Sequence, residues 1–278
     1  MASNCDKCSI VVPVFNEEAI AEMNSRKLAR YFDFIFGSGN WQFVFVENGS
    51  RDSTPEIVGR LSKEHAPSKV VTLASPDYGN ALRAGIAAAD FPFVHIINIE
   101  QWDMPFLSWA WAHRDEYDYI VGSKRIDPLL NGQSRYRRFL SLGLNCVLQV
   151  LFEFAGTETH GPKLLRMERV RDLADQCVMS RGQFDTELTL RCLRRGLRVV
   201  EAPVAYVEER PPRNLMLRKI VQNLLDVAAL ARVMRGVPQE GFLRLYRVAR
   251  EDLVAAAPVS GPACDPREFA LPVTAGGR

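Results

Sequence analysis

Two short runs constrain this chain more than any other feature. Residues 9–14 and 43–46 are apolar and rich in β-branched side chains. Each stops abruptly at polar, acidic residues: Phe15-Asn16-Glu17-Glu18 after the first, and Glu47-Asn48-Gly49-Ser50-Arg51-Asp52-Ser53-Thr54 after the second. An apolar strand that passes straight into a helix start is how an open parallel sheet presents a ligand site, with side chains collecting beyond the carboxyl ends of adjacent strands. Pro13 fixes the backbone as the first strand ends, and Glu17 and Glu18 put negative charge in the first turn of the helix expected next. Gly49 and Ser50 make the second turn, while Asp52, Ser53 and Thr54 are capping residues for another helix.

The same alternation continues. Strand-like runs recur at about 9–15, 42–47, 69–74, 93–99 and 118–122, separated by helical patterns at about 17–35, 53–65, 79–90 and 104–116. That order predicts an α/β fold with a mainly parallel sheet and helices on both faces. Apolar residues at helical spacing (Leu140, Leu144, Val147, Leu148, Leu151) predict a long helix over 136–155. A short β segment near 162–166, helices near 168–177 and 184–195, and a strand over 197–207 follow, Gly196 ending the last helix. Residues 215–234 are apolar but broken by Arg218, Lys219, Gln222, Asn223, Asp226 and Arg232, the pattern of an amphipathic helix. Such a helix packs on the main domain, buries a homodimer seam, or lies on a membrane face. The expected division is therefore 1–214 as the main domain, 215–236 as this helix and 237–278 as a partly disordered extension rich in Ala, Pro and Gly near its end.

At 278 residues with 47% hydrophobic content, the chain can bury a sizeable core. A net charge of +2 gives no reason to expect nucleic acid, so affinity for anions must come from local clusters. The N-terminal residues lack a secretory signal pattern, and no run approaches the roughly 20 apolar residues of a spanning helix. The expectation is a cytoplasmic protein, peripheral on the inner membrane face if it meets a membrane at all. Among six cysteines only Cys5 and Cys8 form a CxxC pair, with no second pair to complete a zinc site, so the thiols read as reduced.

Pro13-Val14-Phe15-Asn16-Glu17-Glu18 and Glu47–Thr54 resemble the nucleotide-sugar-binding half of inverting family 2 glycosyltransferases of GT-A fold, and most closely the dolichol- or polyprenol-phosphate mannosyltransferase branch. The resemblance continues, with gaps, to about residue 215. It implies transfer of a sugar from a GDP- or UDP-linked donor to a polyprenyl phosphate with inversion. The alternatives are transfer to a soluble hydroxyl acceptor, or a non-catalytic nucleotide-sugar binder.

By resemblance, Pro13, Phe15 and Glu17 enclose the nucleotide and Glu47 contacts it, the other reading of Glu47 being a cap on its own loop. Phe15, Glu47 and Glu100 would then meet around one pyrophosphate. Gly79 would let the loop before the third helix approach the ligand. Asn98 and Glu100 stand where the family has D-x-D and would hold Mg2+ or Mn2+, which bridges the diphosphate and stabilises the departing charge. Four acidic positions of the family have drifted together, at Glu47, Asn48, Asn98 and Glu158. Lys124, Arg125, Arg137, Arg138 and Ser141 would take the acceptor's phosphate, and His160 would shape the acceptor loop. Asp185 or Glu187 would take the proton of a hydroxyl acceptor, and Arg210 and Arg213 would clamp the diphosphate when a loop closes.

Overall fold

A computed structural model describes residues 6–65, 67–132, 135–207, 216–241 and 245–255; within these the side chains at 135–137, 139–141, 207, 216–221 and 254–255 are not described. Strand β1 (Cys8–Val14) is followed by α1 (Ala21–Phe36), β2 (Trp41–Glu47), α2 (Thr54–Glu64), β3 (Lys69–Thr72), α3 (Tyr78–Ala88), β4 (Phe93–Ile96), α4 (Met104–Ala112) and β5 (Tyr119–Ser123). The second half runs through β6 (Asn131–Gly132), α5 (Arg135–Phe152), β7 (Lys163–Arg166), α6 (Met167–Asp175), α7 (Gln183–Arg194), β8 (Val199–Pro203), β9 (Tyr206–Val207), α8 (Met216–Arg235), β10 (Leu245–Arg247) and α9 (Arg250–Ala255).

The main sheet has eight strands in the order β10-β8-β5-β7-β4-β1-β2-β3. All neighbours are parallel except β7, which runs against both β4 and β5. β1 and β2 are buried along nearly their whole length because helices cover both faces, which is why they read as continuous apolar runs. Their side chains alternate between two cores: Ile10, Val12, Phe43 and Phe45 face α1, while Val11, Val44 and Val46 face α3. Phe32 of α1 packs edge-on against Trp41 and Phe43. On the other face Gly85 brings α3 onto the sheet, since a Cβ there would stand 2.4 Å from Val11 Cγ1.

Several expected elements differ in detail. The first helix starts at Ala21, because Glu17–Ile20 forms a turn whose backbone is held from the neighbouring loop. Glu17 N donates to Thr54 Oγ1 (2.8 Å), Glu18 N to Asp52 Oδ2 (3.2 Å), and Ser53 N to Glu18 Oε2 (3.0 Å). The acidic residues after both strands thus tie the two loops together. The single strand expected over 197–207 is split into β8 and β9, and β9 pairs with β6 in a separate small ladder. Beyond residue 237, β10 adds an edge strand parallel to β8 and α9 packs beside α4, two elements the composition of that segment did not signal. α8 buries Val227, Leu230 and Met234 against α7 and leaves Leu224 and Leu225 exposed. Among the described residues no helix is long and apolar enough to cross a membrane.

His95 sits in the middle of β4, fully buried, with Nδ1 donating to Lys163 O (2.9 Å). Burial pushes its pKa down to about 4, the single hydrogen bond opposing this only in part. The folded value lies below the ordinary one, so the unfolded chain binds the extra proton first and stability falls as pH drops from about 6.5 toward 4. Chemical denaturation across that interval should show the loss, and His95→Leu should flatten the slope.

Candidate active site

Because β7 runs backwards, its first residues lie beside the carboxyl ends of β4 and β5. Gly122 N donates to Pro162 O (2.8 Å), and a Cβ on Gly161 would collide with Gly122 O, so the two chains touch there as only glycine permits. Around this contact opens a cavity of about 210 Å³ bordered by Asn98, Asp103, Lys124, His160 and Tyr206. A second cavity, of about 440 Å³, lies between α5, the start of α7 and α8. Lys124, Glu158 and His160 line both.

The segment that carries Glu158 is held by a buried acid the sequence did not single out. Glu201, at the middle of β8 and fully buried, accepts from Thr157 N (2.6 Å) and Glu158 N (3.0 Å) through Oε1, and from Thr157 Oγ1 (3.0 Å) through Oε2. Arg247 of β10 reaches Oε2 at 3.4 Å and also donates to Ala155 O. The only sequence sign was a charge inside an apolar strand run. Ser123 Oγ completes the frame through Thr157 Oγ1 (2.7 Å).

Glu158 itself accepts from the N–H groups of Thr159 (3.2 Å) and His160 (3.1 Å), and Lys124 Nζ lies 3.3 Å from its Oε2. Burial pushes its pKa up, but His160 and the Lys124 ammonium outweigh that and hold the carboxyl well below the usual carboxylate range. Lys124 also sits 4.8 Å over the Tyr206 ring. His160 Nε2 lies 2.8 Å from Gly182 O, so it carries the proton, and Nδ1 lies 3.0 Å from Thr159 Oγ1. The histidine therefore joins the 158–160 loop to the start of α7.

The two expected general bases are placed otherwise. Asp185 is 1% exposed beneath the floor, 3.0 Å from the fully buried Lys163 Nζ, which also donates to Gly161 O (2.8 Å). That pair is close but not aligned as a hydrogen bond, and Asp185 reaches neither cavity. Glu187 is fully engaged: Oε2 accepts from Val178 N and Met179 N, and Oε1 pairs with Arg191 at 2.8 Å. It orders the 176–182 loop. Gly79 approaches that same loop, since a Cβ there would meet Arg181 O at 2.5 Å. Arg83 donates to Met179 O and lies over Phe184.

At the other end of the sheet edge, Pro13 pairs in register with Val46, and Val14 with Glu47. Phe15 is exposed, and Glu47 is buried with Oε1 accepting from Ser50 N (2.5 Å), which is the loop cap foreseen as its alternative role. Asn48 Oδ1 accepts from Asp77 N (2.9 Å). The strand ends that carry Phe15, Glu47 and Asn98 stand side by side because β1 pairs with both β2 and β4. Of the expected donor-binding residues Asn98 borders the smaller cavity; Phe15, Glu17, Glu47 and Glu100 do not line it. Asp103 is committed to capping α4 at Phe106 N (2.8 Å) and to Ala205 N (2.7 Å). Arg125 borders the larger cavity and Arg138 is exposed. Arg210 and Arg213, and the side chains of Arg137 and Ser141, lie outside the described residues.

Residues 9–105 match the family model for Glycosyl transferase family 2. The chain is 27% identical to the glycosyltransferase AglD of Haloferax volcanii over 77% of its own length and 35% of that protein, so it spans about a third of this relative. It is 22% identical to the dolichyl-phosphate beta-glucosyltransferase ALG5C of Trichomonas vaginalis, covering 82% of the chain and 72% of the relative. Among solved structures, glucosyl-3-phosphoglycerate synthase from Mycobacterium tuberculosis in complex with UDP superposes with a TM-score of 0.57 at 20% identity, covering 84% of this chain and 82% of that one. The mannosyltransferase PcManGT from Pyrobaculum calidifontis, in complex with GDP-Man and Mn2+, gives 0.55 at 19% identity, over 82% and 64%. The architecture is the GT-A fold. Over residues 9–105 the chain is thus similar to family 2 glycosyltransferases.

Glu201→Gln should loosen the 155–158 segment, since an amide offers one acceptor oxygen where the carboxylate offers two. A loss of about 1.5–3 kcal/mol in chemical denaturation is expected, the usual worth of hydrogen bonds to a charged group. A change under about 0.5 kcal/mol, the ordinary range for a surface substitution, would remove Glu201 from this role.

Proposed function

We propose that this chain transfers a sugar from a GDP- or UDP-linked donor to an acceptor, the diphosphate lying near Asn98 in the smaller cavity and the acceptor approaching from the larger. The observation that carries this reading is the shared wall: Lys124, Glu158 and His160 border both hollows, so a bond made between two bound molecules would form beside them. As the C1–oxygen bond breaks, its electron pair leaves with the nucleoside diphosphate, and the Lys124 ammonium is placed to favour that charge. If the acceptor is a hydroxyl, its proton needs a carboxylate, and Glu158 is the one that borders both cavities. It is ionised and can accept the hydroxyl's hydrogen bond, but its lowered pKa makes it a weaker base than an ordinary carboxylate. If the acceptor is a polyprenyl phosphate it arrives ionised, Arg125, Arg137, Arg138 and Ser141 would bind its phosphate, and no strong base is needed. The dolichyl-phosphate relative favours this second reading; there, α8 with its exposed Leu224 and Leu225 would rest on the membrane face.

Among the described residues no three His, Cys, Asp or Glu side chains cluster as a ready cation cage. Of the two expected ligands Asn98 borders the smaller cavity and Glu100 does not, so an Mg2+ or Mn2+ ion there would draw most of its ligands from diphosphate oxygens and water. Bound there, the ion would supply positive charge to the leaving diphosphate. Thermal unfolding should accordingly rise with UDP- or GDP-sugar plus Mn2+ and stay unchanged with Mn2+ alone; ligand at a hundredfold its Kd adds about 2.7 kcal/mol. A shift with Mn2+ alone would contradict this placement.

Radiolabelled donor offered with polyprenyl phosphate or with small alcohols separates the two acceptors. With a hydroxyl acceptor, Glu158→Gln should lower kcat by about 10²–10⁴-fold, the usual contribution of general base catalysis. With a lipid phosphate the same variant should keep most of its kcat.

A further inference from the structure

Two separate paths of contacts lead to Lys124, and both start from the last described segment of the chain. Lys124 Nζ lies 3.3 Å from Glu158 Oε2 on one side and 4.8 Å over the Tyr206 ring on the other, and the side chain is 19% exposed. Lysine carries its charge on a flexible four-carbon stem, so a fixed position has to come from whatever holds those two neighbours.

Glu158 is held through Glu201, which accepts from Thr157 N and Glu158 N. Glu201 is fully buried, and Arg247 of β10 stands 3.4 Å from its Oε2 while donating to Ala155 O, just ahead of the loop. Val248 N adds a backbone tie to Glu201 O (3.1 Å). Tyr206 is held through Asp103, whose buried carboxylate accepts from Ala205 N (2.7 Å) through Oδ2. Arg250 of α9 stands 3.7 Å from that same oxygen, and its Nη1 is buried with no hydrogen bond among the described residues, so Asp103 is its charge partner. The pairing of β10 with β8 and the fully buried Leu253 of α9 anchor both arginines. An exposed ion pair contributes little, but a cation facing a buried carboxylate cannot be removed without leaving that acid uncompensated.

We propose that the β10–α9 segment is a brace for Lys124, with Arg247 and Arg250 as positioning residues that act on it from opposite sides through Glu201 and Asp103. This rests on the reading of Lys124 as the charge beside the leaving diphosphate. Neither arginine borders either cavity, so each works by setting where the ammonium stands and not by touching a bound molecule. A charge favours a transition state most when it is already in place before reaction. The segment lies far outside residues 9–105, so the strand-end motifs alone do not fix how well the leaving group is met.

Acylation of lysines by an N-hydroxysuccinimide ester, read peptide by peptide by mass spectrometry on the full chain, reports on Lys124 without any substrate. Lys163, fully buried against Asp185, is the internal control for general loosening. In Arg247→Met and in Arg250→Met, which keep an apolar stem, Lys124 should be labelled several-fold faster while Lys163 stays protected. Turnover of the nucleotide-sugar donor should fall about tenfold to a hundredfold in kcat, the scale set by a small misplacement of a reacting group. UDP or GDP affinity, measured by calorimetry, should be unchanged. Arg195→Met, which removes an exposed ion pair with Glu240 that leads to neither cavity, should alter none of these. The proposal is overturned if either variant leaves Lys124 as slow to react as in the native chain, or if an active chain keeps its kcat once Lys124 is freed. Labelling of Lys163 along with Lys124 would overturn it as well, since the arginines would then support the fold alone. If Arg247→Met does not fold, the Arg250→Met result decides. Selective release of Lys124 in a chain that turns over no nucleotide sugar would leave the brace in place and sink the donor reading instead.

Discussion

The reversal of β7 within an otherwise parallel sheet governs the rest of the site. In a wholly parallel sheet every strand would enter from the far edge, and only loops leaving the strands could reach the ligand end. Because β7 runs against β4 and β5, the segment leading into it, 157–163, is delivered to the same edge as Asn98 and Ser123. The reversal demands an unusually close passage, met by Gly122 and Gly161, and it brings Lys163 into the core, where among the described residues Asp185 and the Gly161 carbonyl receive its ammonium. A buried ion pair of this kind adds little net stability by itself, yet removing one partner strands the other charge, so the two residues are bound to each other's presence.

Around that passage the chain spends its acids on backbone groups. Glu201 holds 157–158, Glu187 holds 178–179, Glu47 holds Ser50 and Asp77 holds both Asn80 and Arg181. Each satisfies N–H groups that irregular loops leave without a ladder partner. The site is thus a set of loops stapled by carboxylates onto a rigid sheet. The few charges left at the cavity walls, Lys124 and Glu158 among them, are oriented by this frame and can act on a bound molecule without first reorganising.

The C-terminal part is tied into the same frame. β10 extends the sheet beyond β8, and its Arg247 reaches inward to Glu201 and Ala155. Arg194 of α7 caps the end of α8 through the carbonyls of Met234 and Val237. Segments outside the matched family region therefore help set the loop that carries Glu158, and α8 closes one side of the larger cavity.

The sequence by itself determined the order of strands and helices and the burial of β1 and β2 on both faces. Those properties live in local periodicity and in short runs whose chemistry is set by near neighbours in the chain. Helix starts shifted where a side chain from another loop took the first N–H groups, as Thr54 and Asp52 did at Glu17 and Glu18. Only the tertiary structure decided which acids border a cavity and which are held by backbone and side-chain partners. The family resemblance implied Asp185 and Glu187 as bases; in the fold Asp185 lies beside Lys163, 22 residues earlier, and Glu187 accepts from Val178 N, nine residues earlier. Glu201 lay within the strand expected over 197–207 and holds the 157–158 backbone, because hydrogen-bond geometry between distant segments exists only once the sheet has brought them together.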